Sequence, residues 1–221
     1  DCGITEIPSS AFRGCSSLTN IRIPVNVTEI GSTAFRETAL TEVVFAEGNQ
    51  LQKIGGSIFW GTSTLTSFVI PETVKEIGAN AFQGTVITSI VIPEGVTVIN
   101  GYTFYECFDL ETITFLGNIT KVGYFAFGSC SSLKEISLPA VTEIGYSAFA
   151  ECTALTSVEL TDSLITLGEN TYQTCGIFEN CVSLTSIYLY ASLTSIPKSA
   201  FYGCEKLNGV TIPETVTKIG N

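Results

Sequence analysis

The sequence predicts a mainly β solenoid of about nine coils of 23 residues, and three periodic features predict it. The first is phenylalanine, at Phe12, Phe35, Phe59, Phe82, Phe104, Phe127, Phe149, Phe178 and Phe201, with spacings of 23, 24, 23, 22, 23, 22, 29 and 23 residues. The second is an aliphatic phase at Leu18, Leu40, Leu65, Ile87, Leu110, Leu133, Leu155, Leu184 and Leu207. Apolar residues follow it at +3 and +5, as in Leu18-x-x-Ile21-x-Ile23 and Leu155-x-x-Val158-x-Leu160. The third is a Val/Ile-Thr-x-Ile-Gly segment, as at 27–31 and 141–145. The unit reads L-T-x-I-x-I-P-x-x-V-T-x-I-G-x-x-A-F-x-x-C-x-x.

One such unit cannot bury its own apolar side, whereas stacked units cover one another. The L-x-x-I-x-I segment alternates at its end and reads as a short strand. Stacked in register, these strands form a parallel ladder spaced about 4.8 Å, so nine coils span roughly 45 Å. Pro24, Pro71, Pro93, Pro139 and Pro213 end that strand, where a missing N–H is harmless. Pro8 and Pro197 share a phase with Gly31, Gly55, Gly78, Gly123, Gly145 and Gly168. Proline fixes φ near −65°, so this corner does not require a positive φ. Glycine is there for room or turn economy.

Composition narrows the function. Charged residues are 14%, below the roughly 25% of ordinary soluble domains, while Ser and Thr number 50. The net charge of −11 and the lack of a Lys/Arg cluster disfavour nucleic acid and anionic membranes as partners. No apolar run approaches the roughly 20 residues of a membrane span. The absence of histidine removes Ser-His, Cys-His and His-metal chemistry. Scattered carboxylates form no tight pair of the glycosidase or calcium-loop kind. Neither enzyme nor cofactor site is expected.

The repeated Ile-Gly-x-x-Ala-Phe-x-x-Cys, as in Ile144 to Cys152, together with the strand ending Ile-Pro, resembles the leucine-rich repeats of BspA-like (Treponema-type) surface proteins across essentially the whole chain. The resemblance implies a leucine-rich-repeat solenoid, carried at the cell surface or secreted, of host-associated bacteria or protozoan parasites. It also implies adhesion to host matrix proteins or other cells, with no catalytic motif to transfer. The chain lacks the regular ladder asparagine of ordinary leucine-rich repeats. Little helix is therefore expected: a short strand at V-T-x-I and one helical turn at A-F-x-x-C.

Cys15, Cys107, Cys130, Cys152, Cys181 and Cys204 all lie three residues after a ladder phenylalanine, where Thr38, Thr62 and Thr85 stand in other coils. Free exchange of Cys with Thr suits a small buried filler and reduced, inert thiols. Metal binding is not expected from this spacing. Cys2 and Cys175 are off-phase; Cys175 lies in the insertion 171–176 and either bridges to Cys181 or Cys152 or is a free thiol.

Two surfaces are candidate partner sites. Arg22, Val44, Val69, Val91, Thr114, Ser137, Glu159, Tyr188 and Thr211 point outward from the longer strand. Val44, Val69 and Val91 make an apolar stripe there, although valine is also simply a good strand former. The second surface follows the Ile-Gly corner, where Tyr102, Tyr124, Phe125 and Tyr146 replace small residues, with Tyr105 nearby and Tyr172 in the insertion. Tyrosine is an efficient contact residue; the alternative is a purely structural ladder of rings. Glu29, Lys53 and Glu76 share a phase and read as surface charge pairing of little weight. The sequons at Asn26 and Asn118 arise from the repeat's own threonine.

The chain reads as one solenoid over 1–221 with a partial tenth repeat at 216–221 and no polar cap at either end, so a piece of a longer protein is expected. The leading reading is a binding module for extracellular-matrix or cell-surface proteins or glycans. The alternative is a passive spacer that projects another domain.

Overall fold

The computed structural model describes residues 3–168 and 176–220. Each coil is a parallel-paired rung of a β-solenoid, and the described residues contain no helix. The longer strand of the repeat gives β2 (Asn20–Ile23), β4 (Glu42–Phe45), β7 (Ser89–Ile92), β9 (Thr112–Phe115), β11 (Glu135–Ser137) and β13 (Ser157–Glu159). The short Thr-x-Ile strand gives β1 (Glu6–Ile7), β3 (Glu29–Ile30), β5 (Lys53–Ile54), β6 (Glu76–Ile77) and β8 (Val98–Ile99) in the first half. It continues as β10 (Lys121–Val122), β12 (Glu143–Ile144), β14 (Thr166–Leu167), β15 (Ser195–Ile196) and β16 (Lys218–Ile219).

The two faces differ from the uniform ladder expected. Short strands run four abreast as β1-β3-β5-β6 and as β8-β10-β12-β14. Long strands join only in twos, as β2-β4, β7-β9 and β11-β13, with a single bridge from Ser157 to Ser186. Residues 67–70 occupy a long-strand position without strand pairing. On the short-strand side the corner glycines let the backbones of successive coils meet. A Cβ on Gly55 would lie 2.5 Å from the Gly31 carbonyl carbon and from the Ser32 nitrogen. None of the corner glycines has a positive φ, so they are required for room. Pro8 has no coil before it among the described residues, and Pro197 follows the coil that carries the insertion.

The A-F-x-x-C segment is not helical. Its first N–H groups alternate: those of Ala11, Arg13 and Cys15 bond three residues back, to Pro8, Ser10 and Phe12, while those of Ser10, Phe12 and Gly14 donate to Ser32, Ala34 and Arg36 of the next coil. The same alternation recurs, with Phe104 donating to Ala126 at 2.8 Å and Phe127 to Ala148 at 2.8 Å. It is produced by left-handed residues at two places in each coil. One is two residues before the phenylalanine, at Ser10, Thr33, Ser57, Asn80, Tyr102, Phe125, Ser147 and Ser199. The other is two after it, at Gly14, Glu37, Gly61, Gly84, Glu106, Ser129, Glu151, Asn180 and Gly203. A positive φ every fourth residue interrupts any right-handed helix and turns the intervening N–H toward the neighbouring coil.

Inside, the phenylalanine phase is an unbroken stack from Phe12 to Phe201, with Phe104, Phe127, Phe149 and Phe178 at centroid separations of 5.4 Å. The cysteine phase does more than fill space. Each thiol from Cys107 onward donates to a phenylalanine carbonyl of the preceding coil: Cys107 Sγ to Phe82 O at 3.0 Å, Cys130 to Phe104 at 3.1 Å and Cys152 to Phe127 at 3.0 Å. Thr62 Oγ1 donates to Phe35 O in the same way at 3.0 Å. The position selects a small donor, which explains why Cys and Thr exchange there and nothing larger or purely apolar enters. Threonine hydroxyls elsewhere repeat the device, Thr28 to Thr5 O and Thr142 to Thr120 O among them.

Burial pushes the Cys107 and Cys152 thiols up to about 12, and it also raises Cys130 and Cys181. The expectation that the whole phase is buried fails at its two ends: Cys15 is exposed, with no described coil before it, and Cys204 is half-buried. In the native protein a maleimide should modify Cys15 at least about 100-fold faster than Cys107, Cys130, Cys152 or Cys181, since only thiolate that reaches solvent reacts. Peptide mapping by mass spectrometry checks this; equal labelling of Cys130 and Cys15 would contradict the buried ladder. Cys2 and Cys175 lie outside the described residues.

Candidate functional site

Five aromatic residues predicted to lie near one another form a single cluster on one edge of coils five to seven. Tyr102 and Phe125 occupy the left-handed position before the phenylalanine (φ 58° and 50°), where other coils carry Ser, Thr or Asn. An aromatic residue there costs about 1–2 kcal/mol of backbone strain. The two rings stack at 5.1 Å and 3°. Tyr124 and Tyr146, one position earlier in their coils, form a second stack at 5.2 Å and 11°. The stacks meet edge-on, Tyr102 against Tyr124 at 5.1 Å and Phe125 against Tyr146 at 5.7 Å, and Tyr105 completes the group against Tyr102 at 5.2 Å and Phe125 at 5.7 Å.

Two glycines are cut away beneath these rings. A Cβ on Gly101 would lie 2.8 Å from Tyr124 Cζ, and one on Gly128 would lie 3.0 Å from Tyr105 Cδ2 and 3.1 Å from Phe125 Cδ1. Desolvation raises the phenol pKa of Tyr102 and Tyr146, with the neighbouring tyrosines adding to it. Tyr124 is the outermost ring, 42% exposed. The cluster therefore presents a rigid apolar face with hydroxyls at its margin, the combination suited to a protein or glycan surface. Tyr172 lies outside the described residues.

The valine stripe is only partly assembled. Val69 and Val91, 78% and 49% exposed, line one open groove of about 330 Å³ with Phe68, Pro93 and Leu116. That groove sits where residues 67–70 leave the strand ladder. Val44 is half-buried in β4 beside Arg22 and does not line the groove. Tyr188, in the same outward column four coils after Val91, is exposed and packs edge-on against Tyr190 at 4.6 Å. Glu29, Lys53 and Glu76 make the predicted rail, with Lys53 Nζ 3.3 Å from Glu29 and 3.9 Å from Glu76. The hydrogen bond to Glu29 chiefly holds the Lys53 pKa above its ordinary value.

Sequence reasoning picked out only Tyr105 from the column of side chains just after each ladder phenylalanine. Arg36 there lies 3.9 Å over the Trp60 ring and 3.0 Å from the Glu37 carboxylate. Further along the column a notch of about 260 Å³ opens beside the aromatic cluster, lined by Tyr105, Phe125, Ser129, Ala150, Glu151 and Glu179. Its signal in the sequence is two successive small residues, Gly128 and Ala150, in an otherwise large-residue column.

A family model described as a BspA type leucine rich repeat region matches in six copies over residues 2–107, 52–177 and 176–221. No curated protein matches the chain. Among solved structures, the chain is similar to a leucine-rich cell surface protein of Faecalibacterium prausnitzii, with 25% identity, TM-score 0.52, and 98% of this chain and 83% of that one covered. It is similar to a leucine-rich repeat protein of Eubacterium ventriosum at 24% identity and TM-score 0.54, covering 100% and 80%. The pneumococcal vaccine antigen PcpA shares the fold at 17% identity and TM-score 0.58, covering 99% of this chain and 64% of that one.

Proposed function

The chain belongs to the BspA-type leucine-rich repeat family, and from that premise we propose that it is a protein-binding module, displayed on a cell surface or secreted, that mediates adhesion through its aromatic edge. Its partners are extracellular-matrix or cell-surface proteins or their glycans. The observation that carries this reading is the pair of aromatic residues at positive φ, Tyr102 and Phe125, in positions that six other coils give to Ser, Thr or Asn. Strain of this kind is retained where the rings themselves are used, and it concentrates at binding sites. The similarity to a protein described as a cell surface protein supports the location.

The test is an array of matrix proteins and glycans probed with the chain and with a Tyr124→Ser/Tyr146→Ser variant shown to be folded by circular dichroism. A hit weakened at least about tenfold by the variant is expected, because aromatic anchors dominate contact energies. A folded chain that binds nothing, or a variant that binds as well, would favour the spacer reading.

A further inference from the structure

We infer that the notch beside the aromatic cluster is a receptor for an arginine side chain of the partner protein, which deepens the binding-module reading and rests on it. The notch exists because of two residues. Along the column that follows each ladder phenylalanine stand Arg13, Arg36, Trp60, Gln83 and Tyr105, then Gly128 and Ala150, then Glu179 and Tyr202. The two small residues remove side chains from two successive coils, about 10 Å of the column. Gly128 is held small by the rings of Tyr105 and Phe125 pressed against it.

The walls are chemically opposed. Tyr105 and Phe125 come from the fifth and sixth coils and Glu151 and Glu179 from the seventh and eighth, so aromatic residues line the N-terminal side of the notch and acidic ones the C-terminal side. Glu151 accepts the Ser129 hydroxyl at 3.0 Å, and Glu179 accepts the Gly176 N–H at 2.8 Å. Among the described residues neither carboxylate has a cationic partner. Aromatic and acidic side chains flanking one gap favour a flat cation, which can stack on the first and hydrogen-bond to the second.

A guanidinium already makes both kinds of contact elsewhere in this column. Arg36, in the same column, lies over the Trp60 ring at 3.9 Å and reaches the Glu37 carboxylate at 3.0 Å. Glu37 and Glu151 occupy the same left-handed position two residues after their phenylalanines. The notch offers the same two kinds of group with the aromatic side now N-terminal to the gap, and no Lys or Arg lines it. Arginine suits it better than lysine because its head is planar and less strongly hydrated. The net charge of −11 draws such a partner in.

The experiment titrates N-acetyl-arginine amide into ¹⁵N-labelled protein and follows the amide signals of Gly128, Ala150 and Glu151, with N-acetyl-citrulline amide as the neutral isostere. Shifts confined to the notch are expected, with citrulline about fivefold weaker or worse, and a similar loss for arginine on a Glu151→Gln/Glu179→Gln variant. An Ala150→Arg variant should fill the notch from within and abolish the shifts. Equal binding of citrulline, shifts scattered over the acidic surface, or full affinity in the Gln variant would overturn the inference. A matrix partner lost by Tyr124→Ser/Tyr146→Ser but kept at full strength by the Gln variant would also overturn it, while leaving the aromatic edge as the site. Absence of any array partner would count against the module alone, since the titration decides the notch by itself.

Discussion

Replacing Gly55 with alanine is expected to destabilise the protein by about 3 kcal/mol, at the top of the range for overpacking a close contact. The methyl group would meet backbone on the preceding coil, the Gly31 carbonyl carbon and the Ser32 nitrogen at 2.5 Å and the Ile30 oxygen at 2.7 Å. Backbone cannot rotate aside as a side chain can, so the coils must part. β3 and β5 are paired directly beside this corner, and their parting breaks ladder bonds as well. Gly84→Ala is the control. Gly84 has a φ of 67° and open space where the methyl would go, so only the left-handed backbone is penalised, at about 1–2 kcal/mol. Urea unfolding of both variants compares them. Equal midpoints would mean that the corner glycines serve conformation and not coil spacing.

Phe127→Ala should be costlier still, about 3–5 kcal/mol. The ring is fully buried at the centre of the stack, 5.4 Å from Phe104 on one side and 5.4 Å from Phe149 on the other. Its loss leaves a cavity that the flanking coils cannot close, because their backbones are held apart by the ladder bonds of Phe104 to Ala126 and Phe127 to Ala148. Stability in a solenoid is a sum of coil and neighbour-interface contributions, so removing the central interface also uncouples the halves. A broadened or biphasic denaturation curve is the expected sign. Phe12→Ala, at a half-buried ring in the first coil, should cost less and leave the transition sharp. A sharp, barely shifted transition for Phe127→Ala would show that the stack is not the source of cooperativity.

The features legible in the sequence are those that act residue by residue. Phenylalanine and leucine phases announce a buried ladder because burial is a property of each position. Pro8 and Pro197 in the Gly31 phase leave room or turn economy as the reason for its glycines, and Gly55 shows the close contact that makes it room. The helical turn expected at A-F-x-x-C failed because left-handed residues there include Ser, Thr, Asn, Glu, Tyr and Phe as well as Gly. Only Gly14, Gly61, Gly84 and Gly203, two residues after a phenylalanine, hinted at it. The unpaired stretch at 67–70 was equally hidden, since Phe68 and Ile70 keep the strand's apolar pattern while its hydrogen bonds lapse. At the candidate site the phases of Tyr102, Tyr124, Phe125 and Tyr146 put rings on adjacent coils. The sculpting of Gly101 and Gly128 beneath them, and the notch that Gly128 opens, required the side-chain geometry.

The turn-face bonds have an electrostatic consequence. The peptide joining Ala34 to Phe35 accepts from Phe12 and donates to Ile58; the one joining Ile58 to Phe59 accepts from Phe35 and donates to Ala81, and the relay continues through Phe178 to Ala200. Every N–H in this file of peptides points toward the C-terminal coils. Peptide dipoles aligned head to tail add, as they do along an α-helix, and hydrogen bonds in series polarise one another. The solenoid therefore has a polar axis along its turn side, carbonyl-negative toward the first coil and amide-positive toward the last. That sense along the chain is opposite to a helix, whose amino end is the positive one.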